Sequence, residues 1–243
     1  PDTVRQPDLD GYSSRFFQVD PQGDGVVLTA NAGGVTTKNS HYPRSELREM
    51  NGSQKASWSN TTGSHTLDVC EAITKTPTTK PEVVGAQIHD ASDDVMQIRL
   101  EGKSLMVQYN DGKTETVIEP NYALGTPYNV RIVAEGGKVD VLYNGQKKAE
   151  LPLSGSGWYW KVGAYVQSST DKGESPDATG EVTVYRPLTV SDLSLHGARV
   201  ETPEPLRVNS VRAFRLNLGE QTVVLKGRVC HASVRALDDQ RIV

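Results

Sequence analysis

The sequence predicts an all-β fold: a β-sandwich jelly roll of two antiparallel sheets. Three observations lead there. Asn51-Gly52, Asp111-Gly112 and Asn144-Gly145 each sit between β-prone runs, and such pairs tolerate the positive φ angles that tight hairpin turns require. Between the turns apolar and polar residues alternate, and no window up to about residue 200 carries the 3.6-residue period of an amphipathic helix. Many short alternating strands punctuated by 22 Gly and 13 Pro read as two sheets packed face to face.

Taken in order, Val84 to His89 places Val84, Ala86 and Ile88 on one face and Gly85, Gln87 and His89 on the other. Val95 to Glu101 sets Met96, Ile98 and Leu100 against Gln97, Arg99 and Glu101. Tyr128 to Val133 and Val139 to Tyr143 behave similarly, and Cys70, after Leu67-Asp68-Val69, reads as a small buried hydrophobe. Pairing of Cys70 with Cys230 stays open. The acidic stretches Asp20 to Asp24 and Asp90 to Asp94 read as solvated turns.

Length and composition exclude several classes. A chain of 243 residues buries enough surface to fold without metal or disulfide, and two cysteines are too few for a disulfide scaffold. No apolar run approaches the roughly 20 residues of a membrane-spanning helix. A net charge of −4 argues against a general nucleic-acid binder. The opening at Pro1 shows neither a Met nor a signal pattern, as expected of a processed chain.

The composition shifts near the end. Seven of the fourteen Arg fall in 199–243, with one of the twelve Lys and one of the fifteen aromatics. A stretch so poor in aromatics adds little to a sandwich core. We therefore expect a jelly-roll domain over 1–197 and a C-terminal extension over 198–243, in which Thr222 to Leu225 forms a strand.

Three strand faces carry the chemistry. Arg44, Glu46 and Arg48 share one face of Arg44-Ser45-Glu46-Leu47-Arg48. Gln87 and His89 share another, and Lys161, Gly163, Tyr165 and Gln167 line the polar side of Trp160 to Gln167. Gly85 and Gly163 are expected to leave room there for a ligand. Exposed strand faces ordinarily favour Thr, Ser, Lys and Glu. Arginine forks beside His and Tyr suit instead an anionic substrate and proton transfer. Glu46 is expected to orient the two arginines by ion pairing.

These segments resemble the signature motifs of the alginate lyases of polysaccharide lyase family 7. The family's R-x-E-L-R stands as Arg44 to Arg48, its Q-[IV]-H as Gln87-Ile88-His89, and its Y-F-K-A-G-x-Y-x-Q as Tyr159 to Gln167. Trp160 and Val162 replace the usual Phe and Ala on the core-facing side. The resemblance covers about Gln6 to His196, lacks the family's usual opening strand, and leaves the tail without a counterpart. It implies an endo-acting lyase that cleaves 1,4-linked uronates by β-elimination to 4,5-unsaturated oligosaccharides, with Ile88 pointing to guluronate-containing blocks. By the same resemblance Arg44, Gln87, His89 and Tyr165 are catalytic, and Glu46, Arg48, Lys161 and Gln167 bind substrate. No metal and no cofactor are implied. The expected partner is alginate, with no nucleic acid and no membrane, for a secreted or periplasmic monomer. A catalytically silent module that binds acidic polysaccharides would use the same cationic face, but has no need of a matched His89 and Tyr165.

Overall fold

The computed structural model describes residues 2–37 and 40–185 in full, and beyond them the backbone of four further strands. The first half holds Phe17–Val19 (β1), Gly25–Asn31 (β2), Arg44–Arg48 (β3), Met50–Asn51 (β4), Gln54–Lys55 (β5), Trp58–Ser59 (β6), Ser64–Lys75 (β7) and Glu82–His89 (β8). Asp94–Glu101 (β9), Ser104–Tyr109 (β10), Thr114–Glu119 (β11), Tyr128–Glu135 (β12), Lys138–Tyr143 (β13), Gln146–Leu151 (β14), Ser156–Val166 (β15) and Thr179–Tyr185 (β16) follow. Helical structure among the described residues is limited to two short 3₁₀ turns. The expected turns form: Asn144 (φ 49°) and Gly145 (φ 83°) close the β13–β14 hairpin, and Asn110, Asp111 and Gly112 all take positive φ between β10 and β11.

All pairings are antiparallel. One sheet runs β1-β2-β16-β7-β12-β13-β14 and the other β11-β10-β9-β8-β15-β3, with β6 also paired to β15. The pairs β16–β2, β16–β7, β15–β8 and β15–β3 join strands far apart in sequence, as in a jelly roll. The core lies between the sheets, with Leu28, Ile73, Tyr128 and Ile132 from one and Ile88, Met96, Ile98 and Val166 from the other. Alternation on β12 buries Tyr128, Val130, Ile132 and Ala134, as period 2 requires.

The glycines depart from expectation. The β8–β9 ladder shifts register between Val84 and Ala86, and a Cβ added at Gly85 would land on the carboxylate of buried Glu71. Gly85 thus opens inward, to make room for Glu71 and not for a ligand. Gly163 sits at φ 143°, where a Cβ would lie 2.8 Å from Leu28 Cδ2 and 2.9 Å from Glu46 Cα. It lets β15 approach β3 closely. Cys70 also departs: Val69, Glu71 and Ile73 face the core, so Cys70 faces outward, half-buried. Cys230 lies outside the described residues.

Trp58 packs on the core edge. Its ring lies 4.9 Å from Trp160 and stacks on His65 at 4.4 Å.

The chain divides into two compact units, Pro1–Tyr185 and Arg186–Val243. In the second, Thr189–Ser194 (β17) pairs with Gly197–Glu201 (β18), and Val211–Leu218 (β19) with Gln221–Arg228 (β20). The β17–β18 hairpin spans the boundary expected at 197, because a hairpin's two strands cannot be divided between units. The strand expected at Thr222 to Leu225 is the middle of β20.

Glu71 is the one fully buried acid in the first unit's core, and Tyr128 Oη donates to its Oε1 at 2.7 Å. Burial pushes its pKa from 4.5 up to about 7, outweighing the hydrogen bond. Below pH 4.5 the acid is protonated whether the chain is folded or not. Between 4.5 and about 7 only the unfolded chain has released its proton, so stability falls as pH rises through this window. Glu71→Gln keeps an acceptor for Tyr128 and removes the titration. Thermal melts from pH 5 to 8 should show a flattened pH dependence, and a gain on the order of 3 kcal/mol at pH 8.

Candidate active site

The register of three strands assembles the site. Central β15 aligns Lys161 with Arg48, Gly163 with Glu46 and Tyr165 with Arg44 on β3. On its other edge Lys161 faces Gln87 and Tyr159 faces His89 of β8. Segments distant in sequence thus become neighbouring rungs about 4.8 Å apart.

Glu46 is the hub. Its side chain is only 4% exposed, and it ion-pairs with Lys161 and with Arg44 (Nη1 to Oε2, 3.4 Å). Gln87 Nε2 donates to its other oxygen. The expected pairing with both arginines holds for Arg44 alone, since Arg48 lies 3.4 Å over the Tyr159 ring. Lys161, expected to meet substrate, spends its charge on Glu46. Its pKa is lowered by burial and by Arg44, with Glu46 opposing both.

Arg44 Nη2 donates to Ser40 Oγ at 2.7 Å, and its guanidinium lies 3.7 Å over the Tyr165 ring. Ser40 Oγ lies 3.3 Å from Tyr165 Oη. Ser40 thereby links the arginine to the hydroxyl, a role the sequence reading missed.

His89 Nδ1 sits 2.6 Å from the Asp90 carbonyl oxygen. A carbonyl only accepts, so Nδ1 carries the proton and the neutral ring keeps its lone pair on Nε2. Burial lowers the pKa of His89, helped by Lys161 and Arg44 and opposed by the Asp90 carbonyl and Glu46. The ring is therefore neutral at neutral pH, with a free basic nitrogen.

Arg44, Gln87, His89 and Tyr165 share an open cleft of about 240 Å³, bordered by Ser40, Asp93 and Asp94. All four residues expected to be catalytic are thus brought together. A second cleft of about 440 Å³ shares Tyr165, Asp93 and Asp94 and adds Gln97, Arg99, Gln108 and Gln167. Gln167 is drawn there by Arg99, whose Nη1 reaches its Oε1 at 3.3 Å. Arg99 also ion-pairs with Glu82 and with Glu101 (2.7 Å). The alternation of Val95 to Glu101 had already exposed Arg99 and Gln97, but nothing in that pattern distinguishes a groove from open solvent. Burial and neighbouring Asp93 push the pKa of Asp94 up to about 6, giving the clefts an acidic wall.

Glu174 braces the same end of the sheet. Its carboxylate accepts from the backbone N–H of Thr79, Lys80 and Ser175 and from Ser168 Oγ, tying the loop after β15 to the loop before β8. Burial works against its charge, but these donors hold its pKa down at about 2.

Comparison with known proteins accords with this arrangement. A family model described as alginate lyase matches residues 1–192. Alginate lyase AlgAT5 from polysaccharide lyase family 7 is 49% identical over 75% of this chain and 85% of its own, with a TM-score of 0.73. The chain belongs to this alginate lyase family. It is a polysaccharide lyase. An alginate lyase from Corynebacterium sp. is 42% identical over 75% of this chain and 84% of its own, with a TM-score of 0.72. The family 7 alginate lyase A1-II′, in complex with the product GGG, is 26% identical over 72% of this chain and 82% of its own, with a TM-score of 0.63. A model described as PilZ domain matches residues 170–239, which gives the tail a counterpart that the sequence reading did not find. No curated protein matches the chain.

The hub makes a testable demand on this lyase. Glu46→Gln leaves Lys161 half-enclosed beside Arg44 without a counter-charge. Breaking such a pair costs about 3–5 kcal/mol when the remaining charge stays buried. Lys161 is relieved by losing its proton, so the loss should be greatest in acid and shrink as pH rises towards the ordinary lysine pKa. Chemical denaturation from pH 5 to 10 measures it; a pH-independent loss would mean that Lys161 does not depend on Glu46.

Proposed function

We propose that this chain is an endo-acting, secreted alginate lyase, monomeric and without metal or cofactor, that favours guluronate-containing blocks. The observation that carries this reading is the free Nε2 of a neutral His89 on the same cleft as the Tyr165 hydroxyl and the Arg44 guanidinium. In β-elimination the C5 proton leaves to a base, the C4–O4 bond breaks, O4 takes a proton, and a C4=C5 double bond remains. Negative charge builds on the sugar carboxylate as C5 loses its proton. Arg44 and an amide N–H of Gln87 stabilise it. Tyr165 protonates the departing O4.

Guluronate places the C5 proton and O4 on opposite sides of the ring, so it requires two proton-handling groups. His89 as base and Tyr165 as acid supply them. Mannuronate places both on one side, where Tyr165 alone serves. Ile88 is fully buried. The preference for guluronate therefore rests on His89 and not on a contact from Ile88. The run of the first cleft into the second, through shared Tyr165, Asp93 and Asp94, supports cleavage within the chain, because it gives a polymer room to pass through. A substrate too large to import is the support for secretion.

Tyr165→Phe keeps the ring under Arg44 and deletes only the hydroxyl. Turnover should fall about 10²–10⁴-fold on purified guluronate and mannuronate blocks alike, read from the ultraviolet absorbance of unsaturated product. His89→Ala should cost at least about 10²-fold on guluronate and less on mannuronate. Wild-type turnover in Tyr165→Phe would end the proposed chemistry, whereas equal losses in His89→Ala would end only the two-group assignment.

We also assign the chemistry to the first unit alone. Truncation after Tyr185 should leave turnover and melting temperature unchanged; a lower melting temperature would place the second unit in the fold of the first.

A further inference from the structure

Arg48, Tyr159 and His89 form a connected group at the cleft that the proposed chemistry leaves unused in part. The Arg48 guanidinium lies 3.4 Å over the Tyr159 ring, and the Tyr159 ring stacks on His89 with centroids 5.5 Å apart at 26°. Tyr159 Oη is 3.1 Å from His89 Nδ1. Arg48 Nε and Nη1 are buried without a hydrogen-bond partner, and Nη2 reaches only the Ala56 carbonyl, at 3.5 Å. A guanidinium enclosed in this way does not offer its fork to a sugar carboxylate. Its principal contact is the aromatic ring.

We propose that Tyr159 is a positioning residue for His89, and that Arg48 holds Tyr159 in place instead of binding substrate. The Asp90 carbonyl already requires a proton on Nδ1, so the Tyr159 oxygen acts as a second acceptor for that proton. Its own O–H then points elsewhere. Two contacts, one through the ring face and one through the oxygen, fix the imidazole plane and aim Nε2 outward. When Nε2 takes the C5 proton, the imidazolium donates from Nδ1 to two oxygens. Hydrogen bonds from a charged donor are roughly twice as strong as neutral ones, so Tyr159 favours the protonated ring.

That support is needed because burial acts against protonation of His89. Cationic Lys161 on β15 and Arg44 on β3 add to it, and the Asp90 carbonyl and Glu46 on β3 oppose it. Asp94 of β9 pairs in register with His89 and, with Asp93, borders the cleft. Burial raises the pKa of Tyr159 itself, so it remains a neutral phenol through the working range. The shape of the Arg48 contact matters as much as its charge, because a planar guanidinium lies flat on a ring and an ammonium does not.

The proposal rests on His89 as the base for guluronate, and the experiment separates the two. Tyr159→Phe retains the ring for both stacking contacts and removes only the oxygen. In the full chain it should lower kcat on guluronate blocks about tenfold, leave KM nearly unchanged, and spare mannuronate cleavage. His89, followed through its ring resonances by NMR, should titrate at lower pH than in the wild type by roughly half a unit or more. Arg48→Lys should reproduce part of this kcat loss with little change in KM, because the charge is kept and the flat stack is lost. An unchanged His89 titration in Tyr159→Phe would overturn the proposal, as would equal kcat losses on both blocks in Tyr159→Phe when those of His89→Ala are unequal. A rise in KM as the main effect of Arg48→Lys would overturn the part assigned to Arg48. Should His89→Ala prove equal on both blocks, the base assignment fails, while a displaced His89 titration in Tyr159→Phe still supports the positioning role.

Discussion

The carboxylate of Glu46 is the interaction on which the rest of the site depends. It is nearly inaccessible to water, and it gathers Arg44, Lys161 and Gln87 from three adjacent strands. Without it two cations would face each other in a half-enclosed region, where their repulsion is stronger than in water. With it Lys161 becomes a counter-ion and Gln87 is held in one amide orientation. Arg44 remains the cation that faces the cleft. The hub depends in turn on the close approach of β15 to β3. Gly163 permits that approach, since any side chain at its φ would meet the β3 backbone and Leu28.

Three of the buried carboxylates among the described residues are accommodated in three different ways. Glu46 is opposed by cations. Glu174 is surrounded by N–H and O–H donors, which favour its charge. Glu71 has a single tyrosine for company and keeps its proton up to about neutral pH. Burial is common to all three, and for Glu71 and Glu174 the partners decide the charge state. The same reasoning applies to His89, where burial and nearby cations keep the ring neutral and the Asp90 carbonyl selects the tautomer. A neutral imidazole with its lone pair on Nε2 is thereby made from local packing, with no acidic side chain among the described residues hydrogen-bonded to it.

The functional face is accordingly less cationic than a count of its side chains indicates. Lys161 is neutralised by Glu46, Arg99 by Glu82 and Glu101, and Arg48 is covered by its own packing. Asp93 and Asp94 stand at both clefts. Under the proposed function, recognition of a polyanion relies on few uncompensated donors at the cleft. This suits transition-state stabilisation better than tight binding along the polymer.

Much of this was legible in the sequence. Alternation with period 2 is a local property, so the inward faces of β12, β13 and β15 and the polar set Arg44, Gln87, His89 and Tyr165 could be read residue by residue. The Asn-Gly and Asp-Gly turns were equally local, because positive φ is a property of single residues. Tertiary structure decided what locality does not contain. A register shift beside Gly85 turned its open side inward, since one extra residue in a ladder reverses which face follows. Pairing between distant strands determined that Glu46 takes Lys161 and Gln87, that Arg48 lies on Tyr159, and that Gln167 joins Arg99. Ser40, Tyr159 and Asp94 acquired their places in the site the same way. A side chain's face is set by its own strand, but its partner is set by the strand that packs beside it.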